Sequence, residues 1–449
     1  MTTRRRPAGP GASWIGALTG LWQDRRASIS LITALAMPAL VGGVALGTEA
    51  TFWVMTQHSL QNAADAAAIA AATNAGANYA TEAKAVAAQY GFVDGQAGVA
   101  VTASNTAACP AGGSNCYSVK ITTAVPLFLS QVVGFAGTTT LNGAKAAAIG
   151  ASAVAAKGTI ARTYCILALA GSGVQGFRTN GNPKADLAGC NIMSDTTATC
   201  NGHDTNADYG DAHGTNDGCG VVKTSNMPVV ADPYSGLASN IPADPCAGSY
   251  PQAPSKKKDP ALPAGNLWSG SKTVGTSTTV CGDLQLSGNV TINTTGSGGL
   301  LVIQNGKLDT NGFTLTGSGS GLTVVFAGAN GAYTHGPTGG GVLDFAAPTT
   351  GTWKGMAIYQ APSLTSGVDI SDAGNAPAWD ITGMVYLPHA SVTFSGIINK
   401  ATAGKSCFGL VIDNITVNGT GKIFARGECG AAGLTLPTGS VPGKAKLVG

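Results

Sequence analysis

Charge is what this sequence has least of. Charged side chains make up 10% of its 449 residues, where ordinary globular proteins carry about 25%. A surface this poor in charge has to be covered by Thr, Ser, Asn and Gly. The net charge of +3 leaves no basic excess for a phosphate backbone, so nucleic-acid binding is excluded as a function class. Histidine is scarce too, and His58, His203, His213, His335 and His389 are scattered along the chain. No G-x-S-x-G elbow and no H-E-x-x-H pair occurs, so the sequence does not predict an enzyme. Asp369 with Asp372, or Asp344 with Asp380, could in principle form the carboxylate pair of a glycosidase, which keeps an exported glycan hydrolase as a distant alternative. Long apolar runs are missing as well, with one exception.

That exception covers residues 27–48, which carry no charge between Arg26 and Glu49. About 22 helical residues at 1.5 Å rise cover roughly 33 Å, enough to cross a hydrocarbon core of about 30 Å. Pro38 lies inside the run, where it removes one backbone donor and is tolerated more readily in lipid than in water. Arg4, Arg5, Arg6, Arg25 and Arg26 all precede the run, and the positive-inside rule then places residues 1–26 in the cytoplasm as a basic tail. Cleavage as a signal peptide after Ala34-x-Ala36 is the competing reading. The run continues past that point and exceeds a usual signal core of about 7 to 15 residues, which favours an anchor. In the tail, Trp14, Ile15, Leu18, Leu21 and Trp22 fall on one helical face, and an amphipathic helix on the cytoplasmic leaflet and a mobile tail both fit.

The order of a basic pair, an apolar span with Pro38, an acid at Glu49, the aromatic pair Phe52 and Trp53, and then Leu60, Gln61, Asn62, Ala63, Ala64 and Asp65 leading into Ala66, Ala67 and Ala68 resembles the N-terminal region of TadG-like proteins. That family is associated with assembly of Flp-type, tight-adherence pili. The resemblance implies a single-pass protein of the bacterial inner membrane with a periplasmic or cell-surface head and a structural or assembly role. Tad pilus assembly proteins or pseudopilins would be its partners. No Gly-x-x-x-x-Glu prepilin-peptidase site precedes the apolar run, which argues against incorporation as an ordinary pilin. A surface adhesin binding glycan or a host or matrix protein, through hydroxyls and the aromatics Trp353, Trp379 and Tyr386, is the nearest rival. No cofactor is implied, and the oligomeric state is open.

All ten cysteines, Cys109, Cys116, Cys165, Cys190, Cys200, Cys219, Cys246, Cys281, Cys407 and Cys429, follow the apolar run. An even number in an exported region reads as disulfides. Cys109 and Cys116 would close a loop between two strands, and Cys407 and Cys429 would tie the last strands together. Cys200, His203, His213 and Cys219 are a possible zinc set, against which stands the bridge expected of exported cysteines. Asp204, Asn206 and Asp208 place oxygens at alternate positions, as a calcium loop does. Tyr209 and Thr215 stand where an EF-hand needs Gly and Glu, so a solvated Asx-rich loop is the plainer reading. Residues 171–176 satisfy G-x-G-x-x-G, but Gly181 and Pro183 forbid the helix that a dinucleotide site requires.

The expected fold class is α+β with mainly β content. Residues 49–160 read as a helical stalk to about Tyr90 and a small α+β domain. Its strands are expected near Val99 and Val101, from Tyr117 to Val125, and near residues 138–141, with a short helix before Phe135. The alanine-rich face at residues 60–72 suits either the domain's own core or a partner helix. Residues 161–227 are a Cys-rich β region, and residues 228–279 a Pro-rich linker. In residues 280–449 short alternations such as Leu284 and Leu286, Val290 and Ile292, or Leu410 and Ile412 recur between turn formers such as Asn305 and Asn311. A right-handed β-helix or solenoid-like head fits this pattern, with a β-sandwich as the alternative.

Overall fold

A computed structural model describes residues 25–110, 115–132, 134–182, 184–202, 204–364, 378–394, 397–398, 407–418, 422–424 and 433–449. The tail to Asp24, His203, the pair Asp369 and Asp372, and Cys429 lie outside the described residues. The fold is mainly β, with one long apolar helix and few others. The chain divides into two compact units, Met1–Thr159 with Pro442–Gly449, and Ile160–Val441. The compositional limits at 228 and 280 thus fall inside the second unit.

In the first unit, helix α1 spans Arg25–Asn74 and continues through Pro38. The hydroxyls of Thr48, Thr51, Thr56 and Thr73 donate back to the carbonyls of Ala45, Gly47, Phe52 and Ile69, so they need no outside partner. Ala75, at a φ of 47°, ends the helix, and α2 follows at Tyr79–Gln89. The single helix expected to Tyr90 is therefore broken at the residues around Gly76, which lets α2 fold back on α1. Leu60, Ala63, Ala64, Ala67, Ala68, Ala71 and Ala72 repeat at the spacing of one helical face and are buried. They pack with Ala83 and Ala87 of α2 and with Val119, Ile121, Ala151, Ala153 and Ala155 of the sheet. The alanine face thus serves the chain's own core. Strands β1 (Ala100–Ser104), β2 (Cys116–Pro126), β3 (Thr139–Leu141) and β4 (Ala144–Thr163) pair antiparallel. The strand Thr438–Leu447 completes the sheet beside β4. No helix forms before Phe135 among the described residues, because the loop there is drawn to a carboxylate described below.

Every pairing recorded within the second unit is parallel, whereas sandwiches are built from antiparallel pairs. One ladder runs through Thr278–Cys281, Gly299–Gln304, Leu322–Ala327, Met356–Gln360, Ala378–Phe394 and Phe408–Asn418. It then jumps back in sequence to Ile166–Ala168, Asn191–Ser194, Tyr209–Ala212 and Val222–Thr224. A second ladder links Leu267–Thr273, Leu284–Thr294, Thr314–Gly319, Val342–Ala346 and Ala378–Phe394. Register stacks like on like. Leu301, Val324, Ile358, Val385, Leu410, Ile166 and Ile192 form one row inside the main core. The adjacent residues Val302, Val325, Tyr359, Tyr386, Val411, Leu167 and Met193 form a second row on the opposite face, and that row is buried too.

What covers this outer row is the Pro-rich segment. Met227, Val230, Tyr234, Leu237 and Ile241 pack against it, together with Leu434 and Val441. The hydroxyl of Tyr386 donates to Asp232 Oδ2 at 2.6 Å, and that of Tyr359 to the Tyr234 carbonyl at 3.0 Å. Their rings stack with centroids 4.8 Å apart. Farther along, Ala253 N–H donates to Asp283 Oδ2, Gln252 Nε2 donates to the Asn305 carbonyl, and Cys246 is bonded to Cys281. Composition suggests a linker here; packing makes the segment a strap. Tyr386→Phe leaves Asp232 without its buried donor, and hydrogen bonds to charged groups contribute about 1.5 to 3 kcal/mol. The variant is expected to be less stable by about that amount, and limited proteolysis should cut first within residues 228–241. Unchanged cleavage kinetics would show that the strap is held by other contacts.

Candidate functional site

The conspicuous site of the first unit is built along α1. Glu49 is the first acid after the uncharged run, and its side chain is buried. Its carboxylate accepts the backbone N–H groups of Phe128, Leu129 and Ser130 at 3.1, 2.9 and 2.7 Å, and the Ser130 hydroxyl at 3.0 Å. Burial opposes ionisation, but these four donors prevail and hold the carboxyl below its ordinary value. One turn on, the Trp53 ring meets Phe135 at 5.8 Å. Gln57 then donates to the Gly150 carbonyl at 2.9 Å, and Gln61 to the Ser152 carbonyl at 3.2 Å and to Asp65 Oδ1 at 2.7 Å. Glu49, Trp53, Gln57, Gln61 and Asp65 thus form one i, i+4 row.

The row meets backbone that would otherwise lie open. Among the described residues, β4 has no strand partner on one edge between β3 and the strand Thr438–Leu447. Thr138 Oγ1 accepts Ala148 N–H there, and Gln57 and Gln61 satisfy the next two carbonyls. Capping an edge in this way blocks pairing with foreign strands. Each residue of the expected signature now has a physical place. Leu60, Ala63 and Ala64 are core, Gln61 is half-buried and caps the edge, Asp65 is half-buried and accepts from Gln61, and Asn62 is exposed. Pro38 lies within the exposed part of α1.

In the second unit, a cleft of about 810 Å³ is lined by residues including Asp195, His213, Asp232, His389 and Asp413. Burial pushes the Asp195 carboxyl up to about 6, against opposing contributions from the Val230 N–H and His213. His213 Nδ1 lies 2.7 Å from the Met227 carbonyl, and His389 Nε2 lies 2.7 Å from the Pro362 carbonyl. These groups hold the fold around the cleft. Of the other candidates, Asp204 Oδ1 accepts Asn206 N–H within its own turn, and Asp208 Oδ1 accepts the N–H of Gly189, nineteen residues earlier in the chain. Among the described residues no group of three or more His, Cys, Asp or Glu is placed to hold a metal. Cys200 is bonded to Cys219, which removes both thiolates from the zinc set. The further bridges are Cys109 to Cys116 and Cys165 to Cys190. Cys407 is also disulfide-bonded. Residues 171–176 lead into the strand Gln175–Asn180, so no helix follows the glycines. Asp344 and Asp380 are register partners on adjacent strands. Trp379 and Tyr386 are fully covered, which removes two of the three aromatics considered for glycan stacking; Trp353 is half-buried.

Residues 27–88 match a family model described as putative Flp pilus-assembly TadE/G-like. The match covers α1 and most of α2, and stops before β1. No curated protein and no solved structure matches the chain.

Two outcomes follow for the acids. Because the folded Glu49 carboxyl titrates below the ordinary 4.5, its contribution is present above that pH and is lost as the pH falls through the folded value. Glu49→Gln should therefore lower hydrogen-exchange protection of the Phe128, Leu129 and Ser130 amides at pH 7, and the difference from wild type should close in acid. Equal protection at pH 7 would show that the carboxylate does not order the loop. Asp195 has the opposite sign: with its folded value raised from 3.8 to about 6, ionisation weakens the fold between those pH values. Asp195→Asn is expected to raise the thermal midpoint at pH 7 and to leave it unchanged below pH 3.8.

Proposed function

We propose that this chain is a membrane-anchored structural or assembly component of a Tad-type, Flp-pilus apparatus or a related surface machine, acting through protein contacts. The observation that carries the reading is the family match over residues 27–88, which supports a pilus-related role. It falls on the helix whose signature residues cap and fill the first unit. Helix α1 is long and apolar enough to cross a membrane. The arginines ahead of residue 27 favour a cytoplasmic N-terminus and an exported remainder. Disulfides in that remainder suit an oxidising compartment such as the periplasm or cell surface.

The second unit we read as a solenoid-like head of stacked parallel coils, with the strap along one face. Stacking of this kind leaves an extended, charge-poor surface of Thr, Ser and Asn, suited to contact with other protein. We read the chain as non-enzymatic and without a cofactor. The histidines of the cleft bind main-chain carbonyls, and Asp195 and Asp232 accept hydrogen bonds from the Val230 amide and the Tyr386 hydroxyl.

Deleting the gene in a bacterium that assembles Flp-type pili should reduce surface pilin while total pilin is maintained, with recovery on complementation. Normal piliation would overturn the reading. A protease-sensitive tag after Gly449 locates the head. Protection in intact cells with digestion in spheroplasts fits a periplasmic assembly component, and digestion in intact cells moves weight to an adhesin. Protection in both would contradict the proposed topology.

A further inference from the structure

The loop that Glu49 holds is apolar and uncovered. Phe128 is 69% exposed, Leu129 41% and Val132 85%, and the described residues from Leu127 to Val132 carry no charge. On α1, Phe52, Val54 and Met55 are exposed close by in sequence, and Trp53 stands against Phe135. A soluble surface has little reason to gather these side chains, since exposed apolar area costs about 25 cal/mol per Å².

Their position along α1 supplies the reason. If residues 27–48 cross the hydrocarbon, Glu49 marks the point where the helix leaves it. Three consecutive N–H groups of the loop sit on that one carboxylate, so the loop is fixed at the depth of residue 49. Phe52 and Trp53 lie about 5 to 6 Å farther along the axis, within a headgroup layer roughly 5 to 7 Å thick on each side. Tryptophan favours that layer, where its ring is half in apolar surroundings. The clamp also answers a local need. Backbone donors set against a buried carboxylate have to be paired within the protein, and Glu49 pairs three of them.

We propose that the loop at residues 127–132 is a second membrane contact, with Phe128, Leu129 and Val132 seated in the interfacial layer of the bilayer that α1 crosses. Glu49 sets the depth of that contact. Lys145, whose carbonyl accepts the Leu127 N–H, is exposed beside the loop and supplies a cation at headgroup level. Two attachments, the span and the loop, would fix the tilt of the first unit over the membrane as well as its height. The inference rests on the reading of residues 27–48 as a membrane span.

The test uses the full chain reconstituted at low density into phosphatidylethanolamine and phosphatidylglycerol vesicles. Variants with one added cysteine, Val132→Cys, Leu40→Cys or Asn78→Cys, keep the native disulfides oxidised and each carry an environment-sensitive fluorophore on the added thiol. All three positions are exposed, so labelling leaves the core intact. The proposal expects blue-shifted emission at residue 132 and its loss to headgroup-proximal nitroxide lipids, with deep quenching at residue 40 and none at residue 78. Quenching at residue 40 with water-like emission at residue 132 would overturn the loop contact while the span stands. Water-like emission at both would remove the span, and this proposal with it. Quenching at residue 132 that appears only at high protein density would assign the patch to a second copy of the chain and overturn the lipid contact.

Discussion

Backbone pairing between segments far apart in the chain is the constraint on which both units depend. In the first unit, β4 obtains part of its outer edge from Thr438–Leu447; Val154 and the terminal residues Val448 and Gly449 exchange main-chain hydrogen bonds. In the second, Ile166–Ala168 pairs on one side with Asn191–Ser194 and on the other with Phe408–Asn418. The first strands to be synthesised therefore keep an open edge until the last are made. Pairings of such sequence separation are slow to close, and open edges invite foreign strands meanwhile. The bridges Cys165 to Cys190 and Cys200 to Cys219 lie among these early strands, separated by 25 and 19 residues. They can form before the rest of the unit and hold the waiting edge in shape.

The shortage of charge follows from the same architecture. Strands with the inner row on one side and the strap on the other are buried on both faces and cannot carry ionised groups. Where a charge does enter, it is matched. Asp211 lies on the outer row beside Met193, and Arg162 meets both of its carboxylate oxygens, at 2.6 and 2.8 Å. The Tyr164 hydroxyl adds a third donor at 2.8 Å, and the guanidinium sits 4.0 Å from the centroid of the Tyr209 ring. A buried pair of this kind adds little net stability over apolar residues, yet losing one partner leaves the other uncompensated. Its effect is to specify how residues 160–164 join the early strands.

Local periodicity made much of this legible. The alternation from Tyr117 to Val125, the helix through residues 27–74 and the left-handed turns at Asn305 and Asn311 all depend on neighbouring residues, and each is found. Alternation by itself marks only every second residue, such as Leu410 and Ile412, as inward. The unbroken runs at residues 300–303 and 409–412 were the available sign that both faces are covered. Tyr386 reads as a free aromatic for the same reason. No local pattern showed that Ile166 stacks on Leu410. Val230, Tyr234, Leu237 and Ile241 fall at the 3–4 spacing of a helical face, but Pro233 and Pro242 interrupt it and a 3-10 turn at Ser235–Asn240 forms instead, so the spacing did not announce a segment lying on a sheet. Glu49 was visible as an acid at a boundary. Its partners lie about eighty residues away, and nothing near Ser130 announces them.

Helix α1 brings two surroundings together without changing its own geometry. Its face from Leu60 to Ala72 is packed on the sheet and α2, whereas most of residues 32–58 are bare. The transition is carried by the row Glu49, Trp53, Gln57, Gln61 and Asp65. Rows of i, i+4 positions run at roughly 26° to a helix axis, so such a row winds gently around the helix. The first four members each meet the next piece of backbone or ring along the way: the amides of residues 128–130, Phe135, the carbonyl of Gly150, then that of Ser152, while Asp65 accepts from Gln61. A rotation of the helix by one residue would break all of these together, since neighbouring rows are offset by about 100°. The row therefore fixes the rotation of the whole rod, including the half beyond the sheet. Whatever meets residues 27–48, whether lipid or another helix, meets a face chosen by Glu49 and Gln61.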